Sequence, residues 1–395
     1  MKIYIVGTGM DGRKTLTAEA LEAVMSAEVL IGAKRMLEPF SGLGKRCFES
    51  WRYEEICAFI DDCGDSDTAV LMSGDCGFFS GAEKLSEMLR GRDVSIIPGI
   101  ASPVYFCAKI KKPWKDMRFV DLHGKTANIV RSVCRAGYCF FLLGGGISPA
   151  DVCARLREYG MGGITVHTGE DLGYPDERIL TGTADDLASV SFGKLAVMVT
   201  ENPGYERGVR FGIPDSEFIR GEVPMTKSEV RAVVMSKLGI GERDTVWDIG
   251  CGTGSVSVEC ALQCTDGTVW AVDKSAEACD LTRRNGIAFR CDNINVREGD
   301  ISGVLPELPK PDAVFVGGAS GRTAEIAEAA FRGGNSPRFV VTAVTLETLN
   351  EAVSALESRG MTAEVTQIAV TRTRKAGSHT MLAALNPVFI IEGKK

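Results

Sequence analysis

Two glycine-rich turns of different design could each hold a nucleotide-like ligand: Gly7-Thr8-Gly9-Met10-Asp11-Gly12 near the start, and Asp248-Ile249-Gly250-Cys251-Gly252-Thr253-Gly254 past the middle. Each follows a β-branched run and precedes a helical pattern, the place where an α/β sheet receives such ligands. In the second turn the glycines at 250, 252 and 254 let the main chain approach a ligand closely. The helix expected from Ser255 to about Cys264 then aims its N-terminal N–H groups at that ligand. The G-x-G-x-G spacing is one residue short of the dinucleotide fingerprint, which favours a ligand without a pyrophosphate. Asp273, ending the next strand, is placed for ribose hydroxyls, and Asp300 in Glu298-Gly299-Asp300-Ile301 for an adenine-contacting loop. S-Adenosylmethionine fits this set, with a free ribose diol, no phosphate and a sulfonium to set over the glycines. The competing reading is a glycine turn with no ligand.

These residues need a sheet to hold them. In the first half, strand patterns at Ile3 to Val6, Val29 to Ile31, Ala69 to Met72, Val94 to Ile97, Tyr138 to Leu143 and Leu195 to Val199 alternate with helical ones, such as Ala18 to Ala27 and Gly81 to Leu89. Such alternation predicts a mostly parallel sheet with helical crossovers. Asn202-Pro203-Gly204, Gly212-Ile213-Pro214-Asp215 and Val223-Pro224 then interrupt the pattern. The predicted division is 1–205, a linker over 206–222, and 223–395. The second domain restarts with a helix over Ser228 to Leu238. Seven strand candidates follow: Thr245 to Asp248, Val269 to Val272, Ile294 to Val296, Ala313 to Val316, Phe339 to Val341, Ala363 to Val370 and Met381 to Ile391. The last two are separated by the turn-like Arg374-Lys375-Ala376-Gly377-Ser378, which predicts an antiparallel hairpin closing a seven-stranded sheet. The fold class is α/β throughout.

Composition excludes several partners. With a formal net charge of −7 and a pI near 5.3, there is no global positive field to hold nucleic acid. Apolar runs such as Leu195 to Val199 are strand length, far short of the roughly 20 residues that span a bilayer. The start, Met1-Lys2-Ile3-Tyr4-Ile5-Val6-Gly7, reads as a strand and not a secretory signal, so a reduced, cytoplasmic protein is expected. Among the 13 cysteines no two form a C-x-x-C pair. Cys57 with Cys63 and Cys260 with Cys264 have no histidine close by, so no metal site is expected.

The C-terminal half resembles a class I methyltransferase. Met225-Thr226-Lys227-Ser228-Glu229-Val230-Arg231, Trp247-Asp248, Phe315-Val316-Gly317-Gly318-Ala319-Ser320-Gly321 and Asn386-Pro387-Val388-Phe389-Ile390 narrow the resemblance. They are similar to the decarboxylating C15-methyltransferase family of cobalamin biosynthesis. That resemblance implies cofactor contacts from Thr226, Asp248, Gly250, Cys251, Gly252, Thr253, Gly254, Asp273, Asp300 and Ile301. Gly317 and Gly318 would form the floor facing a tetrapyrrole.

The first turn is neither a Walker loop nor a Rossmann turn, since no Gly-Lys-Thr follows and no acid ends the next strand. Two companion loops, Met72-Ser73-Gly74-Asp75-Cys76-Gly77-Phe78-Phe79-Ser80 and Ile97-Pro98-Gly99-Ile100-Ala101-Ser102, also end strands and can converge with it. Together they resemble the tetrapyrrole methylase family, class III methyltransferases whose cofactor lies between two α/β subdomains. Asp11-Gly12, Asp121-Leu122-His123-Gly124 and Leu172-Gly173-Tyr174-Pro175-Asp176-Glu177-Arg178-Ile179 are similar to its C5-methylating branch. The resemblance implies cofactor contacts from Gly7, Ser73, Gly74, Asp75, Phe78, Ala101, Ser102 and Leu143. One departure is Cys76, where the family's loop has proline after Gly-Asp.

The two resemblances together imply two S-adenosylmethionine sites, methylation of a precorrin at carbons 5 and 15, and decarboxylation of its ring C acetate. They also imply a homo-oligomer. An in-line displacement at a sulfonium needs alignment at roughly 3 to 3.5 Å more than a base, which suits a chain with three histidines. His123 is the candidate among them to act on substrate, against satisfying a loop carbonyl; His167 and His379 follow. Candidate cations for substrate carboxylates are Lys109, with Lys111, Lys112 and Lys115, and Arg372, Arg374 and Lys375, each against a solvated surface charge. Phe78, Phe79, Tyr105 and Phe106 are expected to pack in the core rather than line a macrocycle pocket. The competing functions are an RNA or protein methyltransferase, or a fusion with one half a non-catalytic cofactor-binding scaffold.

Overall fold

The computed structural model describes residues 1–318 and 321–394, which form two compact units. The first comprises Met1–Thr126, Gly137–Ala154 and Gly163–Asn202. Its first sheet is wholly parallel, in the order Arg46–Glu49, Val29–Gly32, Thr68–Met72, Ile3–Gly7, Val94–Ile97. The inner strands are apolar on both faces because helices cover both sides. Ile3, Ile5, Val6, Leu30, Ile31 and Val70 are accordingly buried.

The second sheet of this unit departs from the parallel expectation. Its order is Arg118–Asp121, Tyr138–Leu142, Ala196–Glu201, Thr165–Glu170, Arg178–Thr183, and only the first pair is parallel. The strands Thr165–Glu170 and Arg178–Thr183 are joined by a short stretch without a helix. A parallel return needs a crossover, so they pair as an antiparallel ribbon.

The second unit comprises Ala127–Ala136, Arg155–Gly162 and the chain from Pro203 onward. The first of these segments is tied in by Asp292, whose carboxylate accepts the N–H groups of Val130 at 2.8 Å and Arg131 at 3.0 Å. The seven-stranded sheet runs Ile294–Glu298, Thr268–Asp273, Thr245–Ile249, Ala313–Val316, Arg338–Ala343, Val388–Lys394, Thr362–Ile368. Its first five strands are parallel and its last two antiparallel to their neighbours. The chain order reverses between Thr245–Ile249 and Ala313–Val316, the switch point at which open α/β sheets bind ligands.

The predicted closing hairpin is redistributed. Thr371–Ala376 and His379–Ala384 pair with each other in a separate two-stranded ribbon, and Val388–Lys394 alone re-enters the sheet. The single strand expected over Met381 to Ile391 breaks at Leu385-Asn386-Pro387, where proline has no N–H for a ladder. Among the described residues no helix is long and apolar enough to cross a membrane.

The stretch expected as a linker contributes Ile213 and Phe218 to the second unit's core. A buried ion pair fixes it there. Arg231, on the helix Ser228–Leu238, and Glu259, on Ser255–Gln263, are both fully buried, with Arg231 Nε donating to Glu259 at 2.6 Å. Glu259 also accepts the N–H groups of Gly212 and Ile213, at 2.8 and 2.9 Å. The remaining guanidinium nitrogens of Arg231 bond the carbonyls of Thr226 and Ile213. Every charge in the network thus has a partner, the condition under which burial is tolerated. Glu259→Ala is expected to lower unfolding free energy by about 3–5 kcal/mol in denaturant titrations, with Arg231→Met added to it recovering most of the loss. A cost below about 1 kcal/mol, the range of an exposed pair, would contradict this role.

Candidate functional site

In the first unit the three loops meet at the ends of Ile3–Gly7, Thr68–Met72 and Val94–Ile97. Gly9 and Gly74 exchange main-chain hydrogen bonds at 3.0 and 2.9 Å. A Cβ on Gly99 would lie 2.2 Å from the Gly74 carbonyl oxygen, and one on Gly7 would lie 2.6 Å from the Gly99 nitrogen. Only glycine lets main chain meet main chain this closely. Asp75 locks the junction, with one carboxylate oxygen accepting Gly77 N–H at 2.8 Å and the other Gly99 N–H at 3.0 Å. Cys76 is buried and its thiol lies 3.4 Å from the Ile97 carbonyl. Burial pushes that thiol up to about 12, so it stays protonated and acts as a small apolar filler.

Beside this junction lies a cavity of about 270 Å³. Ser73, Gly74, Asp75, Phe78, Ser102, Leu143 and His123 line it. Ala101 lines an adjoining trough of about 1200 Å³. Gly7 lies in the glycine junction and lines neither. Sequence reasoning passed over Arg35, Asp171 and Lys194, which also line the cavity. The Tyr174 hydroxyl is buried with no hydrogen-bond partner at the cavity wall, an orphaned polar atom that a bound ligand would satisfy. Arg35 donates to the Ser73 hydroxyl at 3.2 Å.

The other candidates of this unit have partners in the fold. Lys109 donates to Glu177 at 2.9 Å, and Glu177 also accepts Tyr105 and the Gly173 N–H, both at 2.7 Å. His167 is buried between Thr181 at 2.8 Å and Glu201 at 2.6 Å, with Lys112 2.7 Å from the same carboxylate. Phe106 is in the core, as expected, whereas Phe79 is exposed.

In the second unit Gly250, Gly252 and Gly254 have φ of +78°, +54° and +75°, dihedrals that side chains resist. Gly250 N–H and Cys251 N–H bond the Val272 carbonyl at 2.8 and 3.2 Å. Asp273 again clamps main chain with both oxygens, accepting Gly252 N–H and Ser275 N–H, each at 3.0 Å. A Cβ on Gly252 would lie 2.6 Å from the Pro224 carbonyl oxygen, so the segment before Thr226 passes directly against the turn.

A cavity of about 110 Å³ opens here, lined by Gly250, Asp273, Asp300, Ile301 and Gly318. A Cβ at Gly318 would meet nothing within 4 Å, so the cavity floor is left clear there; a Cβ at Gly317 would instead lie 3.0 Å from the Phe315 ring. Ala319 and Ser320 of the same motif lie outside the described residues. Val272, Lys274, Gly299 and Arg322 complete the lining, and the two cations among them were missed. Arg322 donates to Asp300 at 2.6 Å and holds its carboxyl below the usual range.

Thr226, Asp248, Cys251, Gly252, Thr253 and Gly254 do not line the cavity. Cys251 and Thr253 are buried, and the Thr282 hydroxyl lies 3.3 Å from the Cys251 sulfur. Asp248 is wholly buried behind the turn, bonded to Ser257 through one oxygen, with the other unpartnered. Burial therefore raises it to about 7, against a lowering contribution from Ser257.

Arg372 lines a separate recess, where it pairs with Glu229 at 2.8 Å and Asp215 at 3.3 Å. That hydrogen bond lowers Glu229 to about 2. Arg374, Lys375 and His379 are exposed on the two-stranded ribbon. No cluster of three or more metal-ligating side chains occurs among the described residues.

Residues 2–188 match the family of tetrapyrrole (corrin/porphyrin) methylases, and residues 217–395 match the precorrin methyltransferase domain. Over 184 residues the chain is 42% identical to a Pyrobaculum aerophilum protein named "Probable cobalt-precorrin-6B C(15)-methyltransferase (decarboxylating)", covering 46% of this chain and 94% of that one. A precorrin-6Y C(5,15)-methyltransferase [decarboxylating] from Sinorhizobium sp is 29% identical over 357 residues, 87% of this chain and 85% of its own. The crystal structure of a precorrin-6Y C5,15-methyltransferase from Geobacter metallireducens gives a TM-score of 0.44 at 38% identity, over 47% of this chain and 96% of that one.

Two outcomes follow from the geometry. Gly99→Ala, which sets a methyl against main chain on two sides, should cost about 1–3 kcal/mol of stability in denaturant titrations; an unchanged midpoint would contradict the close approach. Asp248 binds its proton more tightly folded than unfolded, so its contribution is present below its ordinary value of 3.8 and is lost as pH rises to about 7. Asp248→Asn should flatten the stability profile across that window, and an unaltered slope would show that Asp248 ionises normally.

Proposed function

We propose that this chain, which belongs to the precorrin methyltransferase family and carries a tetrapyrrole methylase domain ahead of that module, methylates a precorrin at carbons 5 and 15. It also removes the ring C acetate as carbon dioxide, in cobalamin biosynthesis. The first domain, 1–205, is read as the C5 methylase, and 223–395 as the C15 methylase and decarboxylase, with the 206–222 stretch packed into the latter's core. The observation that carries this reading is a relative of that bifunctional description aligned over 87% of the chain, more than either domain alone contains.

Each unit is read as holding one S-adenosylmethionine, which supplies an electrophilic methyl on a sulfonium. In the first, Gly74 and Ser73 form one wall, Ser102 and Leu143 another, and the Tyr174 hydroxyl offers the unmet hydrogen bond. In the second, Gly250 and Asp273 take the ribose end and Asp300 with Ile301 the base, all four lining the cavity. The residues need do little beyond alignment, because a meso carbon of a reduced tetrapyrrole is already enamine-like. A bound S-adenosylmethionine would supply the methyl to that carbon and depart as a neutral thioether, and the carbon would then shed its proton. In the decarboxylation the electron pair of the breaking bond passes into the conjugated macrocycle, which a proton then restores. Arg35 and Lys194 in the first cavity, and Lys274 in the second, supply positive charge for a carboxylate bound there. Lys109 and Arg372 bear on substrate only indirectly, being committed to Glu177 and Glu229. The net charge of −7 supports a small-molecule partner over nucleic acid, in a cytoplasmic homo-oligomer.

The test is mass spectrometry of the product formed from precorrin-6B with methyl-labelled cofactor. Two labelled methyl groups and loss of one carbon dioxide are expected. A product with one methyl group would overturn the bifunctional reading.

A further inference from the structure

Folding does not account for Phe79. Its φ of +46° lies in the left-handed region, where a bulky residue is strained, and 48% of it is exposed. Glycine would satisfy the same dihedral without cost, so the turn itself does not call for an aromatic ring. Nor does the core hold it. Its neighbour Phe78, edge-on with ring centroids 4.7 Å apart, does pack inward, against Phe119 at 5.4 Å and Phe140 at 6.0 Å.

The position of Phe79 gives its strain a use. Three residues line both the 270 Å³ cavity and the 1200 Å³ trough: Asp75, Phe78 and Phe79. Asp75 is spent on the two glycine N–H groups and Phe78 on its aromatic cluster, which leaves Phe79 as the exposed side chain at the seam. The trough continues the apolar character beyond it through Ile96, Val104 and Trp114, all exposed. A narrow cavity suited to a cofactor therefore adjoins a wide trough whose apolar stretch is bordered by Glu83, Glu87, Asp121 and Lys125, with one ring standing where the two meet.

We infer that Phe79 binds the substrate macrocycle. Its ring stacks on one face of a tetrapyrrole lying in the trough and sets the methyl-accepting carbon at the mouth of the cofactor cavity. This rests on the reading of the first unit as a precorrin C5 methylase. Stacking on a large conjugated face is favourable through dispersion and buried area, and holding the acceptor in register is what an in-line transfer requires. The backbone strain at Phe79 is then retained because the loop presents the ring outward.

The experiment compares the intact wild-type chain with Phe79→Gly and Phe79→Tyr. It measures KM for precorrin-6B in labelled C5 methyl transfer, calorimetric affinity for S-adenosylhomocysteine, and thermal denaturation. Phe79→Gly should raise KM about tenfold or more, in line with loss of an aromatic contact, leave cofactor affinity within about twofold, and leave the melting temperature unchanged or higher. Phe79→Tyr should restore KM. An unchanged KM in Phe79→Gly, an equal loss of cofactor affinity, or a loss that tyrosine does not restore would overturn the assignment. A wild-type chain that transfers no methyl to C5 would instead overturn the reading of the first unit, and this inference with it.

Discussion

Both candidate sites depend on one device: a carboxylate at a strand end whose two oxygens are filled by main-chain N–H groups. Asp75 holds Gly77 and Gly99, and Asp273 holds Gly252 and Ser275. Turns built from glycine are entropically costly to order, and an acid that accepts two N–H groups offsets that cost while fixing the loop in one shape. The packed glycines then become possible. Gly7, Gly74 and Gly99 meet as bare main chain in the first unit, and Gly252 meets Pro224 in the second. Without the clamp these loops would be free to sample many shapes, and the cavities beside them would have no fixed walls.

The supporting structure differs between the units although the device recurs. In the first, parallel strands deliver three loops to one edge, and a mostly antiparallel second sheet supplies Leu143, Asp171 and Lys194 to the same cavity. In the second, a single switch point delivers the turn, and the buried Arg231 and Glu259 pair presses the segment from Gly212 to Thr226 onto it. Charge follows the same economy, since Lys109, Lys112 and Arg372 are each spent on a carboxylate within the fold.

Much of this was legible in the sequence. Apolar runs such as Ala69 to Met72 and Val269 to Val272 can only be inner strands, and the glycine turns after them mark the sites. The strands Thr165–Glu170 and Arg178–Thr183 were not legible, because Thr, His, Gly and Glu interrupt any apolar run and the pattern resembles loop. Contact between distant residues was also hidden. Nothing local says that Asp75 faces inward to main chain, that Gly7 lies beneath the cavity wall, or that Arg372 faces Glu229. Phe79 was read as core from its composition, and its positive φ and exposure exist only in three dimensions. Arg35 and Lys194 gave no signal, since each looks like any surface charge until the fold brings it to the cavity.

The central proposal is that one chain carries two independent cofactor cradles, the same carboxylate clamp set on differently built sheets. The most direct measurement is calorimetric titration of the intact chain with S-adenosylmethionine. The account predicts two molecules bound per chain at saturation. Saturation at one molecule per chain would contradict it.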